Sequence, residues 1–90
     1  MSDSRAARFE RAADLEAVRR GYGAGLKEYR RWLYQNIPPK NLHTKKRDYF
    51  SPEEIDLILT ATEDNSQFFD FWRKNIPRSA AEIKADSAGK

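Results

Sequence analysis

Tyr29-Arg30-Arg31-Trp32-Leu33-Tyr34-Gln35-Asn36-Ile37-Pro38-Pro39 opens the stretch that decides the fold, and it runs on to Phe50 through Lys40, His43, Lys45, Lys46, Arg47 and Tyr49. Aromatic, basic and helix-breaking residues are concentrated here. Proline has no amide to donate and disfavours the α conformation in the residue before it, so the helix entering this stretch stops near Asn36 and Ile37. Beyond the prolines, the connector from Lys40 to Phe50 shows no hydrophobic period and is expected to hold no more than one turn of helix. Whatever precedes the stretch must therefore pack on whatever follows it across a positively charged joint.

Upstream, Tyr22, Leu26, Tyr29 and Leu33 share one face at about 100° per residue, with Trp32 at its edge, which predicts an amphipathic helix over 22–36. Arg20, Lys27 and Arg31 lie on the opposite face, with Tyr34 beside them. Gly21, Gly23 and Gly25 leave two readings open. Glycine costs about 1 kcal/mol each in a helix interior, which favours a break at Gly21. Leu15, Val18, Tyr22, Gly25, Tyr29 and Trp32 nevertheless keep a four-and-three spacing, as one continuous helix would, and Gly21 and Gly25 would then form a bare patch. The first helix, capped by Asp3 or Ser4, carries Ala6, Phe9, Ala13 and Ala17 on a small-residue face with Leu15 and Val18 beside it.

Downstream, Ser51-Pro52-Glu53-Glu54 is the strongest local signal. Serine at the cap, proline at the first helical position and glutamate three after the serine satisfy free amides reciprocally. Ile55, Ile58, Leu59 and Thr62 form the apolar face of the helix that follows. Glu63-Asp64-Asn65-Ser66 interrupts it, and Asn65 or Ser66 can cap a further helix whose rings, Phe68, Phe69, Phe71 and Trp72, are expected to supply most of the core. Ile76-Pro77 closes that helix, and Ser79 with Glu82 offers a second capping box for a short tail. Residues 84–90 contain no large apolar side chain and are expected to be disordered. Trp32 before Asn36-Ile37-Pro38 and Trp72 before Asn75-Ile76-Pro77 end two helices alike, which reads as convergent stop chemistry because the spacings differ. The chain reads as all-α, a small bundle of three to four helices with a basic connector, in a single domain over residues 1–83.

Charge is unevenly spread. Residues 1–50 hold 12 Lys/Arg against 6 Asp/Glu, and residues 51–90 hold 5 against 8. Such separation points to a charged partner for at least one half, or to pairing of the halves with each other. The absence of cysteine excludes disulfides and thiolate metal sites and fits a cytoplasmic setting. No apolar run approaches the roughly 20 residues of a membrane span, and residues 1–11 lack the apolar middle of a secretory signal. Asp3, Glu10, Asp14 and Glu16 argue against an organellar transit peptide.

Catalysis lacks its parts. His43 is the only histidine, and Gly21, Gly23 and Gly25 follow no strand, so neither a nucleophile–base pair nor a phosphate cradle is available. Glu53, Glu54 and Asp56 follow no calcium-loop spacing. No metal and no cofactor is expected.

What remains is the cationic set. Arg20, Lys27 and Arg31 lead into Lys40, Lys45, Lys46 and Arg47, with Tyr34, His43 and Tyr49 interleaved. Cations neutralise phosphates while nearby rings stack on exposed bases, which is the division of labour in nucleic-acid binding. The plain counter-reading is a solvated face paired with the acidic segment 53–70. The sequence therefore predicts a non-catalytic binding or regulatory module whose partner is nucleic acid. The alternative is an adaptor or inhibitor that binds an acidic protein, with Leu57 and Tyr34 as candidate exposed contacts, or a homodimer that covers them. At Tyr29-Arg30-Arg31-Trp32 the chain resembles the LYR-motif mitochondrial assembly factors, which implies a three-helix protein holding an acyl carrier protein through basic residues. Glu28 stands where that motif has leucine, and the connector is shorter than the family's second helix.

Overall fold

A computed structural model describes residues 3–88, apart from the side chains at positions 3, 4 and 6. The capping role expected of Asp3 or Ser4 therefore lies outside the described residues. The chain is all-α, as the sequence predicts. Its segments are α1 (Asp3–Ala17), α2 (Gly23–Asn36), α3 (Pro39–Asp48), α4 (Pro52–Asp64), α5 (Phe68–Lys74) and α6 (Ala80–Ala88). α1 packs against α2, α3 and α5, while α4 packs against α2, α5 and α6. No helix among the described residues is long and apolar enough to cross a membrane.

Gly21 decides between the two readings of the glycine run. It sits at φ 96° and ψ 9° in a wide turn, Val18–Tyr22, that separates α1 from α2. Only glycine adopts this left-handed conformation without a Cβ penalty, so the break at Gly21 is the correct reading. The bare patch expected from Gly21 and Gly25 does not form, since a Cβ at either would meet nothing within 4 Å. Close approach occurs instead at Gly23, where a Cβ would stand 2.7 Å from Leu59 Cδ2. That glycine lets α2 lie directly on α4.

The connector is a helix. Pro38 and Pro39 do stop α2, but Pro39 is also the first residue of α3, where its missing amide costs nothing and its fixed φ suits the helix. The expectation of at most one turn over 40–50 is thus corrected by the ten residues of α3. The absence of a hydrophobic period reflects its exposure, for α3 has no buried residue of its own.

At the head of α4 the capping box forms as the sequence predicts. Ser51 Oγ accepts from the Glu54 amide at 3.1 Å, and Glu54 Oε1 accepts from the Ser51 amide at 2.8 Å. Asn65 Oδ1 accepts from the Gln67 amide at 3.0 Å, and α5 begins at the next residue, Phe68. Asn36 and Asn75 each donate through Nδ2 to the carbonyl four residues back, of Trp32 and Phe71 respectively. The two stops share their chemistry, and the equivalent of Trp32 is Phe71 rather than Trp72.

The core comprises Leu15, Val18, Phe50, Ile55, Ile58, Phe68, Trp72 and Ile83. Phe68 and Trp72, one helical turn apart, stack at 5.1 Å between centroids. Three expected faces differ from this. On α1 the buried positions are Arg11, Asp14 and Leu15, followed by Val18 in the turn, while Phe9 and Ala13 are exposed. On α2 Gly23 and Arg30 are buried, and Tyr29 and Trp32, like Tyr22 at the end of the turn, are more than half exposed. Leu57, expected at the surface, packs on the core. The stretch expected to be disordered, 84–90, is helical through Ala88; Trp72 Nε1 donates to Asp86 Oδ2 at 2.9 Å and Ile83 is fully buried, which seats α6.

Candidate functional site

Among the described residues four charged side chains are buried: Arg11, Asp14, Arg30 and Glu54. They hold the joint together. Phe50 lies between α3 and α4 with no helical partner for its backbone groups. Its amide donates to Asp14 Oδ2 at 3.1 Å, and its carbonyl accepts from Arg30 Nη1 at 2.6 Å. Arg30 and Asp14 are themselves joined by two bonds, at 2.9 and 3.2 Å. Arg11 reaches four acceptors: the carbonyls of Lys46, Arg47 and Pro77, and Glu54 Oε2. Two of those carbonyls belong to the last turn of α3, whose acceptors have no partner inside the helix. The guanidinium also lies 4.8 Å from the centre of the Phe50 ring. Buried charge of this kind is tolerated because nearly every polar atom is paired.

The cations singled out from the sequence fall into three groups. Arg20, Lys27 and Arg31 are held by Glu16, Asp56 and Glu28 at 3.0, 3.1 and 2.8 Å. Arg19 and Arg20 together hold the Glu16 carboxyl down to about 2, mainly through their hydrogen bonds to it. Lys27–Asp56 ties the basic α2 to the acidic α4, as the plain counter-reading supposed for such pairs. Lys45, Lys46 and Arg47 stand on the last turn of α3, with Lys45 Nζ 5.0 Å from the Tyr49 ring and Lys46 Nζ 6.0 Å from the Tyr34 ring, while Arg47 pairs with Asp48 at 2.8 Å. Lys40 and His43 are exposed on α3. Tyr34 is only partly exposed: its hydroxyl is enclosed without a hydrogen-bond partner, and burial raises its pKa. Four of the nine, Arg20, Lys27, Arg31 and Arg47, are thus already held by carboxylates.

A different surface is concave. An open groove of about 940 Å³ runs between the start of α1, the end of α3, the end of α5 and the first turns of α6. Arg8, Arg11, Lys46, Arg47, Arg73, Lys74 and Arg78 line it, against the acids Glu82 and Asp86. Phe71, Asn75, Ile76 and Pro77 complete the wall. Arg11 is neutralised by Glu54, Arg47 by Asp48 and Arg73, more loosely, by Asp70 at 3.8 Å. Arg8, Lys46, Lys74 and Arg78 have no ion pair among the described residues and face solvent. Phe71, 42% exposed, is the one aromatic ring on this wall among the described residues.

Of the residues expected from sequence, the groove gathers only Lys46 and Arg47. Sequence reasoning missed Lys74 and Arg78 because residues 51–90 are acidic as a whole, missed Arg8 because it lies upstream of the Arg20–Arg47 stretch that holds the cationic set, and gave Phe71 to the core, whereas it is 42% exposed. A local signal existed: Arg73, Lys74 and Arg78 fall within six residues around Pro77. The fold and this groove define a small all-α bundle with a cationic cleft. Comparison with protein-family models, with curated proteins and with solved structures finds no match for the chain.

Proposed function

We propose that the protein is a non-catalytic, cytoplasmic binding module that holds nucleic acid in the groove between α1, α3, α5 and α6. The observation that carries this reading is the lining itself, seven cations against two acids around a recess that also presents an aromatic ring. Four of those cations are un-neutralised, so phosphates entering the groove would replace mobile counterions rather than break existing pairs. Arg20, Lys27 and Arg31 are already satisfied and contribute mainly to the fold and its surface.

The test is fluorescence anisotropy with a labelled mixed-sequence oligonucleotide. Reversing Arg8, Lys74 and Arg78 to glutamate should weaken binding by more than about tenfold, and the wild-type log–log salt slope should be about −3 for four phosphate contacts. The control reversal of Arg20 and Arg31 should change affinity little. Groove reversal without effect at about 0.1 M salt, where exposed charges still act over about 10 Å, would refute the reading.

A second reading has its own support. Tyr29 and Trp32 on α2, stacked at 6.4 Å, are exposed, as is Tyr22 in the turn before them, and none of the three lines the groove. Rings of this kind are enriched at protein interfaces. They favour an adaptor that binds a protein, or a second copy, through α2. A pull-down that survives nuclease and is lost in the Trp32→Ala variant would identify that mode.

A further inference from the structure

Phe71 has a placement that the cationic lining does not account for. It stands on the last turn of α5, flanked in the helix by Phe68 and Trp72, which are buried and stacked, so the turn that carries it is anchored to the core. Asn75 closes that turn by donating to the Phe71 carbonyl at 3.0 Å. The residue remains 42% exposed on the groove wall, ahead of Lys74 and Arg78 on the same strip of chain. A partly open aromatic ring set among cations offers a flat apolar face beside charges that hold anions.

Resting on the groove reading above, we infer that the ligand is single-stranded nucleic acid, with Phe71 stacking on one unpaired base while Lys74, Arg78 and Arg8 hold the adjoining phosphates. The physical reason is access. In a duplex the base faces are covered by their neighbours, and a ring on a recessed wall cannot reach them without being driven between base pairs. A single strand offers base faces and phosphates side by side, and a cationic groove with a stacking ring is the arrangement such strands require. Stacking is tolerant of base identity, so the module is expected to discriminate strandedness more than sequence.

The experiment uses the full chain, with fluorescein-labelled oligothymidine and oligouridine of about 12 nucleotides, within the usual range of single-strand site sizes, against a duplex of equal length. The single strands should bind more tightly than the duplex. Phe71→Ala should weaken single-strand binding by about 5- to 150-fold, and Phe71→Tyr should retain it. Because Phe71 is partly exposed, circular dichroism of both variants should match the parent. Equal affinity for duplex and single strand, or unchanged single-strand affinity in Phe71→Ala, overturns the inference and leaves the groove reading standing. Absence of binding to every probe at about 0.1 M salt overturns both.

Discussion

Arg30 is the residue on which the joint depends. Its guanidinium takes Asp14 with two bonds, takes the Phe50 carbonyl, and lies 4.9 Å from the centre of the Tyr49 ring. Truncation leaves the Asp14 carboxylate buried without its cation, and breaking one side of a buried pair costs about 3–5 kcal/mol. Arg30→Ala is therefore expected to lower the urea midpoint sharply. Exchanging both partners for apolar residues, Arg30→Met with Asp14→Leu, should cost clearly less than the sum of the single changes, because no orphaned charge remains. Additive losses would mean that the two side chains act separately. A pattern reader assigns arginine to the solvent face, so this residue was legible in the sequence only as part of an Arg30-Arg31 pair. Position decides between them: Arg30 lies on the inward line with Gly23, whereas Arg31 stands half exposed beside Glu28.

At the scale of elements, the glycines separate backbone conformation from packing. Gly21 is exposed and a methyl group there would meet open space, so alanine at this position suffers only the strain of φ 96°. That strain is roughly 1–2 kcal/mol, or about 4–16 °C in Tm for a domain this size. Gly25 also faces open space but lies within the regular α2, and alanine there should stabilise by about 0.4–1 kcal/mol. The two substitutions should thus shift Tm in opposite directions in thermal denaturation followed by circular dichroism. Shifts of the same sign would contradict the break at Gly21. Spacing alone cannot make this distinction: Leu15 and Val18 are buried while Tyr22, Gly25, Tyr29 and Trp32 on the same four-and-three line are exposed, so the pattern in the letters follows no single face.

For the molecule as a whole, α6 is the element whose importance the sequence concealed. It packs on α4, buries Ile83 and gives Asp86 to the indole of Trp72. Residues 84–90 carry no large apolar group, which predicted a dispensable tail, yet removing them deprives a buried Nε1–H of its acceptor. Leaving such a donor unsatisfied costs about 1–3 kcal/mol. Deletion of 84–90 is accordingly expected to lower Tm by about 4 °C or more, and Asp86→Ala alone should reproduce part of the loss. An unchanged melting curve for the deletion would show that α6 is not seated on Trp72 in solution.

Local chemistry is what the sequence by itself determined. The capping box at Ser51 and Glu54, the proline stop after Asn36 and the Ile55/Ile58 face of α4 all depend on residues within one or two turns of each other, and each forms as expected. Tertiary structure alone decided which way α1 and α2 turn, because an arginine whose hydrogen bonds are supplied by segments up to 66 residues away can occupy an inward position that hydrophobicity assigns to a ring. The same cause displaced Tyr22, Tyr29 and Trp32 to the surface. The groove belongs to this second class: Arg8, Lys46, Lys74 and Arg78 come together only when the ends of α1, α3 and α5 meet, and a count of charge along the chain cannot register a surface made of chain ends.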